Sequence, residues 1–358
     1  MPPNDPYECP NHAALDALAR GASLAPEVHA HVARCPACAK YLDAARFENR
    51  FAAVMSDAPL SQSAIAPIPA PAAEGMPPRD TPRLPGYRIT DELARGGQGI
   101  VFRGVQIASN QRVAIKVLHP ARSEAPSVRA RFSREIQIAG ALSHPGIVRL
   151  LDSMTLPDGR AALIMEYVEG QTLSDWLAGR PDQSKIINLL ASVAEALHHA
   201  HQRGVIHRDL KPSNILVDAT NSPRVLDFGV ACWTESQQVR IDLVASRIVR
   251  ITQTGEFAGT LAYAAPEQLS HVASTPDIRS DVYSLGVIGY EAILGRLPYS
   301  VEGSLETIVE NILHKEPARP TRGIMNHDLW TVLSKAMSKE PNRRYQTAVD
   351  FARDLRSA

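Results

Sequence analysis

The sequence predicts an α+β protein in which a small β-rich lobe precedes a larger helical lobe, with a small helical module ahead of both. Three observations carry this. Strand-like apolar patterns recur in five segments between residue 86 and about 168, the apolar spacing is mostly helical beyond Gly170, and a proline-rich stretch sets the first 45 residues apart.

In chain order, residues 1–45 alternate Ala and Leu with charges in two helix-like stretches, Ala13 to Arg20 and Pro26 to Ala33, and a third begins after Cys38. Residues 46–85 read as a linker, because Asp57 to Pro85 holds eight prolines with Ala and Ser, few charges and no hydrophobic period. From Gly86, YRIT, GIVFRGVQI and RVAIKVL read as successive antiparallel strands broken at Gly96-Gly97 and Ser109-Asn110. Ser127 to Leu142 reads as a helix. IVRLLDSM and AALIMEYV then read as two strands joined across Pro157-Asp158-Gly159. Residues 86–165 thus make the small lobe and 170–358 the large one, whose helices are TLSDWLAG, KIINLLASVAEALHHAHQRG, DVYSLGVIGYEAILG, DLWTVLSKAMS and TAVDFARDLRSA. No internal repeat interrupts the series.

Composition narrows the function. The chain has 358 residues, 44% of them hydrophobic, enough to bury a core across two or three domains. Lys plus Arg equals Asp plus Glu at 38 each, so no global field favours nucleic acid or an anionic membrane, and no nucleic-acid partner is expected. No apolar run approaches the roughly 20 residues of a membrane span, and the start MPPNDPYECP has no basic segment followed by an apolar one. A cytoplasmic location is the expectation. Four cysteines do not make a disulfide scaffold, and three of them, Cys9, Cys35 and Cys38, fall in the first forty residues, which suggests metal before oxidation.

Chemistry is concentrated between His207 and Gly229. The run HRDLKPSN is followed thirteen residues after Asn214 by Asp227-Phe228-Gly229. Phosphoryl transfer needs a carboxylate to take the proton of the attacking hydroxyl and oxygen ligands for the Mg²⁺ ions that neutralise phosphate charge; Asp209, and the pair Asn214 and Asp227, supply them. The Walker sequence GxxxxGK[ST] is absent, so the P-loop class is not supported. Leu93 to Phe102, LARGGQGIVF, offers glycines that let backbone N–H groups approach phosphates, and Val113-Ala114-Ile115-Lys116 puts a lysine on a strand. Together these residues resemble the eukaryotic-type protein kinase superfamily in its bacterial Ser/Thr branch, Lys211 two positions after Asp209 being the Ser/Thr form.

The resemblance implies a bilobal kinase fold over residues 86–358, using ATP with Mg²⁺ or Mn²⁺ on protein substrates. It implies that Lys116 contacts the α- and β-phosphates and is held by Glu135, that Asp209 orients the acceptor hydroxyl, and that Lys211 neutralises the transferring group. Leu93, Ala94, Gly96, Gly97 and Gly99 would cover the nucleotide. Val101, Ala114 and Leu216 would enclose the base, Met165 would back the pocket, and the backbone of Glu166, Tyr167 and Val168 would pair with the adenine edge. Glu267 is expected to pair with Arg344, and Asp281 to tether the catalytic-loop backbone. Thr252 and Thr254 lie where related bacterial kinases are autophosphorylated, with Arg208 placed to meet a phosphate and a homodimer as one route to it. Two positions depart from the pattern. Ala94 replaces the first loop glycine, and Ala139-Gly140 stands where a bulky residue usually stacks toward Phe228, so the active helix position is expected to be marginal.

The first module carries Cys9, His31, Cys35 and Cys38 in the spacing C-x21-H-x3-C-x2-C. Three thiolates and an imidazole suit tetrahedral Zn²⁺. The module resembles the zinc-binding anti-sigma-factor fold of bacterial regulators, which implies a structural zinc and a sigma factor or other regulatory protein at residues 1–50. A metal-free helical bundle and a redox CxxC pair are the other readings. A catalytically silent kinase-fold scaffold is the competing functional class.

Overall fold

The structure is a computed structural model. It describes residues 28, 31, 35, 38, 81–96, 99–119, 136, 138–228, 261–269, 277–320 and 325–358. Three strands, β1 (Tyr87–Gly96), β2 (Gly99–Gln106) and β3 (Gln111–Leu118), follow one another antiparallel, as their alternation requires. The next two, β4 (Leu150–Thr155) and β5 (Ala161–Glu166), enter in reversed order, so the sheet runs β1-β2-β3-β5-β4. The tight turn at Asp158-Gly159 brings β5 back between β3 and β4. Val113, Ile115 and Val117 are at most 1% exposed and pack with Phe102, Ala162, Ile164 and Leu84 on one face of the sheet. The residues between them, Ala114 and Lys116, therefore face the other way.

That other face looks onto the large lobe. Helices α1 (Leu173–Ala178), α2 (Gln183–His201), α3 (Pro266–Leu269), α4 (Ile278–Leu294), α5 (Leu305–His314), α6 (His327–Ala336) and α7 (Ala348–Ser357) occupy it. Side chains of Thr172, Asp277, Ser304, Asn326 and Thr347 accept the first free N–H groups of α1, α4, α5, α6 and α7. Helix α4 is buried continuously from Ser280 to Tyr290, as a helix apolar on most sides must be. Gly286 permits it: a Cβ there would lie 2.9 Å from the Ala336 Cβ of α6.

Helical spacing did not reveal a second, three-stranded antiparallel sheet of β6 (Gly170–Thr172), β7 (Ile215–Asp218) and β8 (Pro223–Val225). The strand reading of IVRLLDSM also began too early. Ile147 bridges to Val225 instead of joining β4, and the Val148 N–H donates to the Val225 carbonyl at 2.9 Å. Among the described residues, no helix is long and apolar enough to cross a membrane.

Candidate active site

The cleft between the lobes is bounded above by the second face of the sheet. Val101 is the register partner of Lys116, and Arg103 that of Ala114. Directly opposed residues share a face, so these four side chains lie together on the cleft side. From there Lys116 Nζ reaches Asp227 Oδ2 at 2.6 Å, across 111 positions of sequence. The lysine is 6% exposed and the aspartate 17%.

Below the cleft, residues 205–214 follow α2 and form the loop that carries Asp209, Lys211 and Asn214. Asp281 on α4 organises it: one oxygen accepts from His201 Nε2 at 2.7 Å and from the His207 N–H at 2.8 Å, the other from the Arg208 N–H at 2.8 Å. Burial opposes ionisation of this carboxyl. The His201 hydrogen bond and charge, with His207, outweigh it and hold Asp281 below the usual carboxylate range. The Asp209 N–H donates to His207 Nδ1 at 3.3 Å, so Nδ1 is the acceptor and Nε2 carries the proton donated to the Leu226 carbonyl at 2.8 Å. Arg208 and Asp227 both adopt left-handed backbone, φ +65° and +61°, a costly choice for non-glycine residues. Gln268 Nε2 donates to the Arg208 carbonyl at 2.7 Å, so that peptide is gripped on both sides. Spacing gave no sign of Gln268's part.

Asp209 and Lys211 form an ion pair at 3.2 Å. Asn214 Nδ2 donates to the Asp209 carbonyl at 2.8 Å, which turns the amide oxygen of Asn214 away from that carbonyl. The Leu226 N–H donates to the Asn214 carbonyl at 2.9 Å, so the segment carrying Asp227 runs beside Asn214. A carboxylate and an amide oxygen are hard donors of the kind Mg²⁺ takes, and the donor set fits that ion.

Val101, Ala114 and Leu216 are half-buried, as is Leu93, whereas Ala94 is exposed. Gly99 has a reason of its own: a Cβ there would lie 2.2 Å from the Val117 carbonyl, so β3 excludes a side chain whatever the nucleotide needs. Gly96 closes the hairpin opposite Gly99, and its carbonyl meets His119 Nε2 at 3.2 Å. Met165 is buried on β5. A small open pocket lies beside it, lined by Ile136, Ala139, Leu150, Asp227 and Phe228 among others. Gly140 is the last helical residue there and not an interior one, so the expected interior-glycine cost does not apply. The Glu166 side chain accepts from the Arg149 N–H at 2.9 Å and pairs with Arg224, while Tyr167 and Val168 are half-buried. Away from the cleft, Arg344 grips Glu267 through two bonds of 2.7 Å, with Ser280 Oγ a third partner at 2.7 Å.

Glu135, Gly97, Cys9, Thr252, Thr254 and the whole segment between Phe228 and Leu261 lie outside the described residues. In the first module, the ligand atoms of His31, Cys35 and Cys38 lie within 4.8 Å of one another, Cys38 being buried. Cys38 Sγ is 3.5 Å from His31 Nε2, and the Cys35 N–H donates to the His31 carbonyl at 2.9 Å, the contact of one helical turn. The donors suit zinc in softness and spacing.

Comparison with known proteins agrees with this geometry. Over 276 residues the chain is 36% identical to the serine/threonine-protein kinase PknB of Mycobacterium tuberculosis, which covers 75% of this chain and 42% of that protein. It is 37% identical over 285 residues to PknA of the same species, covering 77% of this chain and 62% of PknA. The chain therefore spans only part of these relatives. The crystal structure of the Mycobacterium tuberculosis PknI kinase domain superimposes with a TM-score of 0.56 at 25% identity, over 80% of this chain and 99% of that one. Residues 87–353 match the protein kinase domain family along both lobes and the cleft between them, and the chain belongs to that family.

Proposed function

We propose that the chain is a Ser/Thr protein kinase that transfers the γ-phosphoryl group of ATP to protein hydroxyls. The observation that supports it best is the Lys116–Asp227 pair, which joins the lobes beside a loop holding Asp209, Lys211 and Asn214. Asp209 is then the group that orients the acceptor Ser or Thr hydroxyl and receives its proton as the oxygen bonds to the γ-phosphorus and the bond to ADP breaks. Lys211, paired with Asp209 at 3.2 Å, lies near enough to neutralise the transferring group. Lys116 holds the α- and β-phosphates, and Asn214 and Asp227 would hold Mg²⁺, which when bound offsets phosphate charge. Positioning and electrostatics supply most of the acceleration. Mg²⁺-dependent transfer from labelled ATP should be seen with the intact protein and lost in Asp209→Asn; equal transfer by both would refute the assignment.

Regulation belongs to the same proposal. Phosphorylation of Thr252 and Thr254 would bring charge near Arg208 and order the segment that leads to Gln268. The double variant Thr252→Ala, Thr254→Ala should lose most activity, and full activity would remove this reading. His31, Cys35 and Cys38, with Cys9 as fourth ligand, would hold a structural zinc in a module that docks a regulatory protein. Elemental analysis of the folded, reduced chain should give one zinc per chain, lost in Cys35→Ser, Cys38→Ser.

A further inference from the structure

The connector between β5 and β6 is held to the small lobe by an aromatic clasp. Two guanidinium groups lie over the Tyr167 ring, Arg103 Cζ 5.1 Å and Arg112 Cζ 5.4 Å from its centroid. Both arginines belong to the cleft face. Their register partners are Ala114 and Val105, and Val101 pairs with Lys116 on the same face. From the interior outward that face carries Lys116 and Val101, then Ala114 and Arg103, then Arg112, so the ring stands at the open edge of the slot in which a base would lie.

Each cation is anchored in turn. Arg103 pairs with Asp91 of β1 at 3.6 Å, and Arg112 pairs with Glu169, two residues beyond the tyrosine. Asp91, Arg103, Tyr167, Arg112 and Glu169 thus form one chain of contacts that ties β1, β2 and β3 to the connector. A ring held by two anchored cations gains from each through its π system, and moving away from them weakens both contacts. Arg103 is the better buried of the two, its side chain 33% exposed against 56% for Arg112, so its contact is the less screened by water.

We propose that Tyr167, clasped by Arg103 and Arg112, is a positioning residue that sets the width of the nucleotide slot by fixing the Glu166–Val168 backbone against Val101 and Ala114. It acts on the base through the connector and takes no part in phosphate chemistry. The inference rests on the nucleotide binding proposed above.

The test uses the full chain and MgATP, with affinity measured by calorimetry and steady-state KM and kcat measured beside it. Wild type is titrated first. Tyr167→Leu should weaken MgATP binding and raise KM for ATP by about fivefold to tenfold, the loss of its partly desolvated cation–π contacts, with kcat little changed. Tyr167→Phe keeps the ring and should recover the affinity. Arg103→Gln should give most of the loss seen in Tyr167→Leu, and the double variant should be little worse than Tyr167→Leu, because the Arg103 contact is already gone with the ring. Arg112→Gln should lose less.

Unchanged affinity in Tyr167→Leu and Arg103→Gln, additive losses in the double variant, or a fall in kcat at constant KM would overturn the proposal. Should Tyr167→Leu fail to fold, Arg103→Gln and Tyr167→Phe carry the same decision. Wild type that binds no MgATP would overturn both this inference and the proposed function. Wild type that binds it, with variants that bind equally well, would overturn the inference alone.

Discussion

Two pairs of a basic side chain with a carboxylate divide the molecule between them. Arg344 and Glu267 lie inside the large lobe at 0% and 5% exposure, and every donor of the guanidinium is used: two bonds to Glu267 and others to the carbonyls of Ser338, Arg279 and Lys339. Lys116 and Asp227 meet once, at 2.6 Å, in a cleft between lobes where the carboxylate keeps 17% exposure. The first pair is saturated and bonded to one rigid neighbourhood. The second joins elements that can separate and retains exposed carboxylate surface. Similar charges thus close up a single rigid lobe in the first case and span the cleft between two lobes in the second.

Substitution should separate the two. Lys116→Met or Asp227→Asn should reduce phosphate transfer on the order of 10³-fold, the scale of losing one preorganised charge, while the unfolding midpoint barely moves. A comparable loss of thermal stability would erase the distinction. Arg344→Ala should cost about 3–5 kcal/mol of stability in denaturant titration, because Glu267 is left buried and unpaired. Replacing both by Met should recover much of that; if the double variant is as unstable as the single, the penalty is packing and not an orphaned charge.

Smaller effects sharpen the contrast. Ala139 lines a small pocket with Asp227 and Phe228, and a larger side chain there would pack against them, so Ala139→Leu should raise the basal rate of the unphosphorylated protein several-fold. A correctly folded variant with no gain would remove that reading. On the scaffold side, Lys339 donates to the Ile312 carbonyl at 2.7 Å and lies 4.1 Å from the Tyr299 ring centroid. Burial pulls its pKa from 10.5 down to about 8, with Arg344 acting the same way and Glu316 against. The unfolded chain then binds the extra proton between about pH 8 and 10.5, so this lysine's contribution to stability rises with pH across that window. Melting curves of wild type and Lys339→Met from pH 7 to 9.5 should shift in favour of wild type as pH increases; parallel curves would count against it.

Much of this architecture was legible because local pattern and global fold agree. Alternation in VAIK placed Lys116 opposite the buried Val113, Ile115 and Val117, and helical spacing located α2, α4, α6 and α7 within a few residues. HRDLKPSN located the loop. The resemblance supplied the pairings of Glu267 with Arg344 and of Asp281 with the loop backbone, which periodicity does not encode. The small sheet escaped because its strands of three or four residues are too short to show a period. Gln268 and the Tyr167 clasp escaped for another reason: each contact joins elements far apart in sequence, and only three-dimensional packing brings them together.

The left-handed backbone of Asp227 has a consequence best put as an equilibrium between populations. That conformation costs a non-glycine residue roughly 1–2 kcal/mol. Left to itself the residue would occupy it only about one tenth of the time, since 1.4 kcal/mol is a factor of ten. Its neighbours reverse the odds: Lys116 holds the carboxylate, and the Phe228 ring packs edge-on against His207 at 5.0 Å. Any ligand that takes hold of the same carboxylate adds its binding energy to one side of that balance. Occupancy of the cleft and the shape of its floor are therefore linked quantities, and a nucleotide's apparent affinity includes the work of keeping one residue on the less favoured side of its own conformational map.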